Sequence, residues 1–256
     1  MAAVLNKFSG GTAFVLVMAV VALVGCAGRK APPPPTISTG EFVDTALGQE
    51  SISMWPGCTT QEVRQYRDQA EGNPVDALKG AMCLGVWARH GEDFDKAGQD
   101  AALGLRLARR ALEVKPDSPL AQYVTAALTG LWAERFPQQG LKAVPEIERL
   151  AKEAAQAFPE LDHGGPDRLL GELYLRAPAF PVSIGDSALA VEHYEAAVAL
   201  APQFAPNRLG LARAFLEDEQ TDKACIEYHR FLKLVDDGKP DYGETPPQSL
   251  RRACRE

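Results

Sequence analysis

The sequence predicts an all-α fold, an α-solenoid of about four helix pairs with capping helices. Three observations predict it. A set of small and aromatic residues recurs after 34 positions. Several amphipathic segments stop at a proline, which lacks the N–H and the free φ needed to continue a helix. Nowhere is there a sustained period-two alternation of β-branched residues of the kind that marks strands.

Residues 1–26 read as a targeting segment. Lys7 and the chain amine form a short positive region, and Ala13–Val24 is an unbroken apolar run. A spanning helix needs roughly 20 apolar residues, whereas a signal-peptide core needs about 7–15. Leu23-Val24-Gly25-Cys26 resembles a bacterial lipobox, which implies lipidation of Cys26 and cleavage before it. Two or more acyl chains anchor stably where one does not. Residues 27–45 form a Pro-rich linker. Pro32–Pro35 favours extended polyproline II, which at about 3.1 Å per residue holds a body roughly 50 Å from the lipid. Ala27, not Asp, follows the lipidated cysteine, which favours the outer membrane facing the periplasm.

Residues 46–256 are expected to form one helical domain, long enough to bury a sizeable core. Removing residues 1–26, which carry one Lys and no acid, leaves 26 basic and 34 acidic residues, a net charge of −8. With no basic patch, nucleic acid is not an expected partner, and the membrane is reached through the lipid alone. Four cysteines remain: Cys58, Cys83, Cys225 and Cys254. An even number in an exported chain suggests disulfides, and three pairings are open. Cys58–Cys83 and Cys225–Cys254 are expected because each would staple one end of the array. Four buried free thiols are the alternative. No Cys or His spacing suits a metal, and no cofactor is expected.

The helices follow in order: an N-terminal one near Thr60–Ala70, then first helices over Pro74–Arg89 and Pro119–Arg135. The second helices of those pairs end in LARRALEVKP and LAKEAAQAFP. Ala190, Tyr194, Ala197 and Pro202 are spaced by 4, 3 and 5. A shift of 34 returns Ala224, Tyr228 and Phe231. That period is the period of the tetratricopeptide repeat, a helix–turn–helix unit. Leu170, Gly171 and Tyr174, then Leu211, Ala212 and Phe215, occupy first-helix positions.

The third pair departs from the template. Tyr174 to Ala190 spans sixteen residues where nine are expected. The inserted stretch, Ala177–Asp186, carries Phe180, Val182 and Ile184, apolar for a surface loop. Gly185-Asp186 is expected to turn the chain and cap a helix from Ser187, and Pro166 to sit at the first helical position.

The run from His163 to Pro202 resembles the T component of TRAP-type transporters, the TatT-like lipoproteins. The residues that carry the likeness are Gly164, Gly165, Pro166, Arg168, Leu170, Gly171, Pro178, Pro181, Gly185 and Asp186. The likeness is sharp over about 162–202 and weaker over 58–236. It implies a periplasm-facing lipoprotein of degenerate tetratricopeptide helices. Such a protein docks a periplasmic solute-binding protein, forms a homotrimer, and offers a channel or pocket for a small, hydrophobic or carboxylate ligand. The alternative is a generic tetratricopeptide scaffold in envelope or outer-membrane assembly.

Arg168 is the leading ligand or partner candidate, since a guanidinium binds a carboxylate in bidentate fashion. Its structural alternative is a clamp on the carbonyls of the 177–186 loop, or a salt bridge to Asp186. Tyr174 is expected to border the same region. Phe180 and Ile184 are expected either to line a pocket mouth or to pin the loop to the core. His193 and His229 are expected to face solvent without a carboxylate partner, and Trp55, Trp87 and Trp132 to pack. There is no nucleophile elbow, P-loop or dinucleotide fingerprint, so an enzyme is not expected.

Overall fold

The computed structural model describes residues 58–68, 74–91, 93–239 and 244–255, all within one unit of the chain, residues 31–256. Cys26, the 1–26 signal, the 27–45 linker and Trp55 lie outside the described residues. Among the described residues, ten α-helices and one short 3-10 turn make an all-α body. The helices are α1 (Thr60–Asp68), α2 (Pro74–His90), α3 (Phe94–Val114), α4 (Pro119–Arg135) and α5 (Gly140–Ala157). They continue with α6 (Gly165–Arg176), α7 (Ser187–Leu200), α8 (Ala205–Glu217), α9 (Thr221–Asp236) and α10 (Gln248–Ala253).

Local signals set the boundaries. Thr59 and Glu62 form a reciprocal capping box at α1, with Thr59 N–H donating to Glu62 Oε2 (2.8 Å) and Glu62 N–H to Thr59 Oγ1 (3.2 Å). Asp93 and Ser118 accept from backbone N–H groups of Lys96 and Ala121 at the starts of α3 and α4. Pro119, Pro166 and Pro206 stand in first turns, where a missing N–H costs nothing. Helices α3, α5 and α7 each end two residues before a proline: Pro116, Pro159 and Pro202.

Each helix packs on the next, so α2/α3, α4/α5, α6/α7 and α8/α9 form four antiparallel pairs. The first helices of neighbouring pairs also touch: α2 on α4, α4 on α6, α6 on α8. One apolar cluster lies under α2–α4 around Met82, Leu84 and Leu128. A second, around Leu150, Leu170, Tyr194, Leu209 and Leu250, runs from α4 to α10. Leu112 and Leu169 pack against both.

Cys58 is bonded to Cys83, and Cys225 to Cys254. The first bond ties the chain ahead of α1 to α2, and the second ties α9 to the end of α10. With partners 25 and 29 positions apart, each removes unfolded-chain entropy worth about 3 kcal/mol. Trp87 adds a hydrogen bond from its indole N–H to the Cys58 carbonyl (3.2 Å).

Candidate functional site

The segment joining α5 to α6 is built around a backbone run that side chains rarely tolerate. Asp162, His163 and Gly164 have φ values of 49°, 57° and 78°, three successive residues in the left-handed region. Only Gly164 adopts it cheaply; the other two need support from outside. Arg168, on the first turn of α6, supplies it. One guanidinium nitrogen donates to the Asp162 carbonyl (3.0 Å) and to Asn207 Oδ1 (3.0 Å), and the other donates to Asp162 Oδ2 (2.6 Å). Asn207, fully buried on α8, donates to the carbonyls of His163 and Ala197, both at 2.8 Å. Tyr123, from α4, donates its hydroxyl to Asp162 Oδ2 (2.5 Å). The far face of Arg168 lies over the Phe204 ring, on which His163 also stacks. Burial pulls the Arg168 guanidinium toward its neutral form, and the Asp162 carboxylate, together with the Tyr123 and Tyr194 hydroxyls and Glu244, more than offsets that, holding the group charged.

This corrects both structural expectations for Arg168. It holds neither the 177–186 carbonyls nor Asp186. Its partners lie on the N-terminal side because the left-handed run turns the 162 and 163 carbonyls back toward α6. Glycine at 164 also answers to space: a Cβ there would stand 2.9 Å from Ala197 Cα.

A second polar layer joins α6, α7 and α8. Tyr194 is buried with its ring between α6 and α8, and its hydroxyl donates to Glu172 Oε2 (2.8 Å). Arg213 of α8 grips the same carboxylate with two nitrogens (2.9 and 3.1 Å). Burial pushes the Glu172 carboxyl up, and Arg213, with the Tyr194 hydroxyl and Arg176, more than reverses that, leaving it below the usual carboxylate range. Tyr174 is likewise engaged: its hydroxyl donates to Glu148 Oε1 (2.7 Å) and its ring stacks on His193 at 5.5 Å. His193 does not face solvent alone, as the sequence suggested. It is half-buried and shares a 2.9 Å hydrogen bond with Asp167 Oδ1, which lies one helix away. His229 is exposed as expected.

The inserted loop closes on itself between α6 and α7. Gly185 N–H donates to the Pro178 carbonyl (2.9 Å), and Asp186 N–H to the Tyr174 carbonyl (3.0 Å). Val182 N–H donates to the Ala179 carbonyl (3.0 Å), and the Phe180–Pro181 peptide is cis. Asp186 caps α7, accepting from Leu189 N–H (3.0 Å). Removing that acceptor in Asp186→Ala is expected to cost about 1 kcal/mol in urea unfolding, with the helix intact by circular dichroism. Ile184 packs against the core, while Phe180 and Val182 are 88% and 64% exposed. Phe180 therefore neither lines a pocket nor pins the loop; the loop folds on its own backbone and presents the ring outward. At its C-terminal base, Ser187 Oγ donates to Asp218 Oδ1 (2.8 Å), placing the Glu217–Glu219 acids alongside.

Sequence reasoning missed Asp162, Asn207, Tyr123, Glu172 and Arg213. A signal existed for one of them: Asn207, directly after a first-turn proline and on an apolar helix face, is an unusual residue to bury. Among the described residues, no group of His, Cys, Asp and Glu is placed to hold a metal ion, and no helix is long and apolar enough to cross a membrane. No protein-family model matches the chain, and no curated protein matches it either.

Proposed function

We propose that this chain is a lipid-anchored, periplasm-facing accessory of a TRAP-type solute-transport system, a homotrimer of degenerate tetratricopeptide arrays that docks a solute-binding protein. The observation that carries the reading is the loop over residues 178–185. Its backbone is closed by its own hydrogen bonds, its base is fixed by Ile184 and by the Asp186 cap, and its tip holds Phe180 out in solvent. An aromatic ring presented on a fixed base is the chemistry of an interface anchor, and the order is already built before binding. The neighbouring acids suit a partner pocket that is apolar with a basic rim. The likeness over residues 162–202 and the four helix pairs support the same reading. Arg168 and Tyr174 are already engaged by Asp162 and Glu148, so the reading is of docking and not of a ligand path through those two side chains.

The test is capture from detergent-solubilised envelope with the tagged full-length protein, followed by mass spectrometry. Wild type is expected to recover a solute-binding protein. Phe180→Asp is expected to lose about 2 kcal/mol of affinity, roughly 30-fold, with its thermal midpoint unchanged because the ring is exposed. Recovery of envelope-assembly factors alone from wild type would sink the docking proposal. Equal recovery by wild type and Phe180→Asp would remove the loop from it.

A further inference from the structure

The last turn of α2, the first turn of α3 and the last turn of α4 meet in an aromatic surface. Phe94 opens α3 and Phe136 follows α4, and the two residues are 58% and 42% exposed. They belong to one patch. The Arg135 guanidinium lies over the Phe94 ring, 5.0 Å from its centre, and the Phe136 ring packs on Trp132 at 5.7 Å. Gly98, one turn along α3 from Phe94, lets the end of α4 come close: a Cβ there would stand 3.6 Å from Phe136 Cζ and 3.8 Å from Arg135 Cβ. Arg135 Nη2 donates to the Ala88 carbonyl (2.9 Å), which fixes the fork against the end of α2. Its Nε has no partner among the described residues. Two neighbouring carboxylates are used elsewhere: Glu134 pairs with Arg176, and Asp93 caps α3.

The chain enters the body at this same place. Cys58 is bonded to Cys83, and its carbonyl accepts from Trp87 Nε1, one residue before Ala88. Residues 46–57, just ahead of it, lie outside the described residues. Their sequence, ALGQESISMWPG, carries Ile52, Met54 and Trp55. From 31 to 57 there are three carboxylates, Glu41, Asp44 and Glu50, and no Lys or Arg. Six residues of extended chain span roughly 20 Å. The path from Cys58 to Phe94 runs through three contacts: Cys58 with Trp87, Ala88 with Arg135, and Arg135 with Phe94.

We propose that residues 50–55 of this chain, Glu-Ser-Ile-Ser-Met-Trp, fold back from Cys58 onto the patch, with Trp55 on the Phe94 and Phe136 rings and Glu50 on the Arg135 guanidinium. A guanidinium beside aromatic rings suits both, because its face stacks on rings and its edge takes a carboxylate. The short link to Cys58 makes the contact intramolecular, so a high effective concentration lets a small patch hold the segment. The chain ahead of residue 50 then leaves the body beside α3, which gives the tether a set direction relative to the array. The proposal does not rest on docking through Phe180.

The test is fluorine NMR of the full-length protein in detergent with every tryptophan replaced by 5-fluorotryptophan. The Trp55 resonance is identified by its loss in Trp55→Phe, and its exposure is read from its solvent isotope shift. A peptide of residues 49–57 in the same buffer gives the undocked value. Wild type is expected to show a smaller isotope shift than the peptide. Phe94→Ser should move Trp55 toward the peptide value, with the docked-to-free ratio lowered about tenfold by loss of an aromatic contact. Glu50→Gln should lower the same ratio about two- to fivefold, the range an exposed ion pair supports. The proposal is overturned if wild-type Trp55 matches the peptide, or if either substitution leaves its resonance unchanged. It is also overturned if the protection falls on dilution, which would make the occupant a second copy. Phe94 is exposed, so an unaltered thermal midpoint will show that folding is not what is being read.

Discussion

Arg168→Ala is expected to destabilise the protein by about 3–5 kcal/mol, as measured by urea unfolding followed by circular dichroism. The substitution removes one side chain but strands several groups. The Asp162 carboxylate, nearly fully buried, would keep Tyr123 as a donor and lose its counter-charge. The Asp162 carbonyl would lose its donor, and Asn207 Oδ1 would lose its own. The left-handed run would then be held by Tyr123 on the Asp162 side chain and Asn207 on the His163 carbonyl, without the charged fork that joins them. Arg168→Lys is the informative companion. It keeps the charge but cannot span a carboxylate, a carbonyl and an amide oxygen with a planar fork, so it should recover less than half of the loss. Full recovery by lysine would mean that charge alone matters and that the clamp on the left-handed turn contributes little.

Gly210→Ala is the second large effect, expected at about 3 kcal/mol or more from overpacking. A Cβ at 210 would fall 2.0 Å from Tyr194 Cε1, and one at Gly171 would fall 2.5 Å from Cδ2 on the other side of the same ring. The ring cannot withdraw. It is buried, with glycine backbone on both faces, and its hydroxyl is bonded to Glu172. The strain therefore falls on the α6–α8 contact. Shrinking the ring tests this: in the double variant Gly210→Ala/Tyr194→Leu the two losses should add to clearly less than their sum. Strict additivity would show that the two positions do not press on each other.

These two sites also mark how far the sequence could be read. The helix pairs were legible because their signals are local: a 34-residue return of Ala190, Tyr194 and Ala197 as Ala224, Tyr228 and Phe231, and a proline after α3, α5 and α7. Tyr194 was legible as the aromatic of the recurring set, and Gly171 as a small residue at a first-helix position. The partners of Arg168 were not. Tyr123 and Asn207 lie some forty residues away on either side, on helices whose relative placement no spacing encodes. The choice between the loop and Asp162 turned on the sign of two φ angles, and Asp and His do not announce a left-handed backbone as glycine does. His193 was misjudged for the same reason. Its helix alone makes it look exposed, while Asp167 on the neighbouring helix half-covers it. Phe180 shows the opposite limit: an apolar residue in an insertion invites burial, but a loop that satisfies its own backbone leaves the ring outside.

The bond between Cys58 and Cys83 has a mechanical consequence. Tension applied to the chain ahead of residue 58 reaches a covalent link to α2 before it reaches the hydrogen bonds of α1. Helix α1, docked by Val63 on the core, lies between two points that cannot separate, and the load passes into a seventeen-residue helix packed on α3. A pull from that side would therefore leave α1 wound, since the load bypasses it.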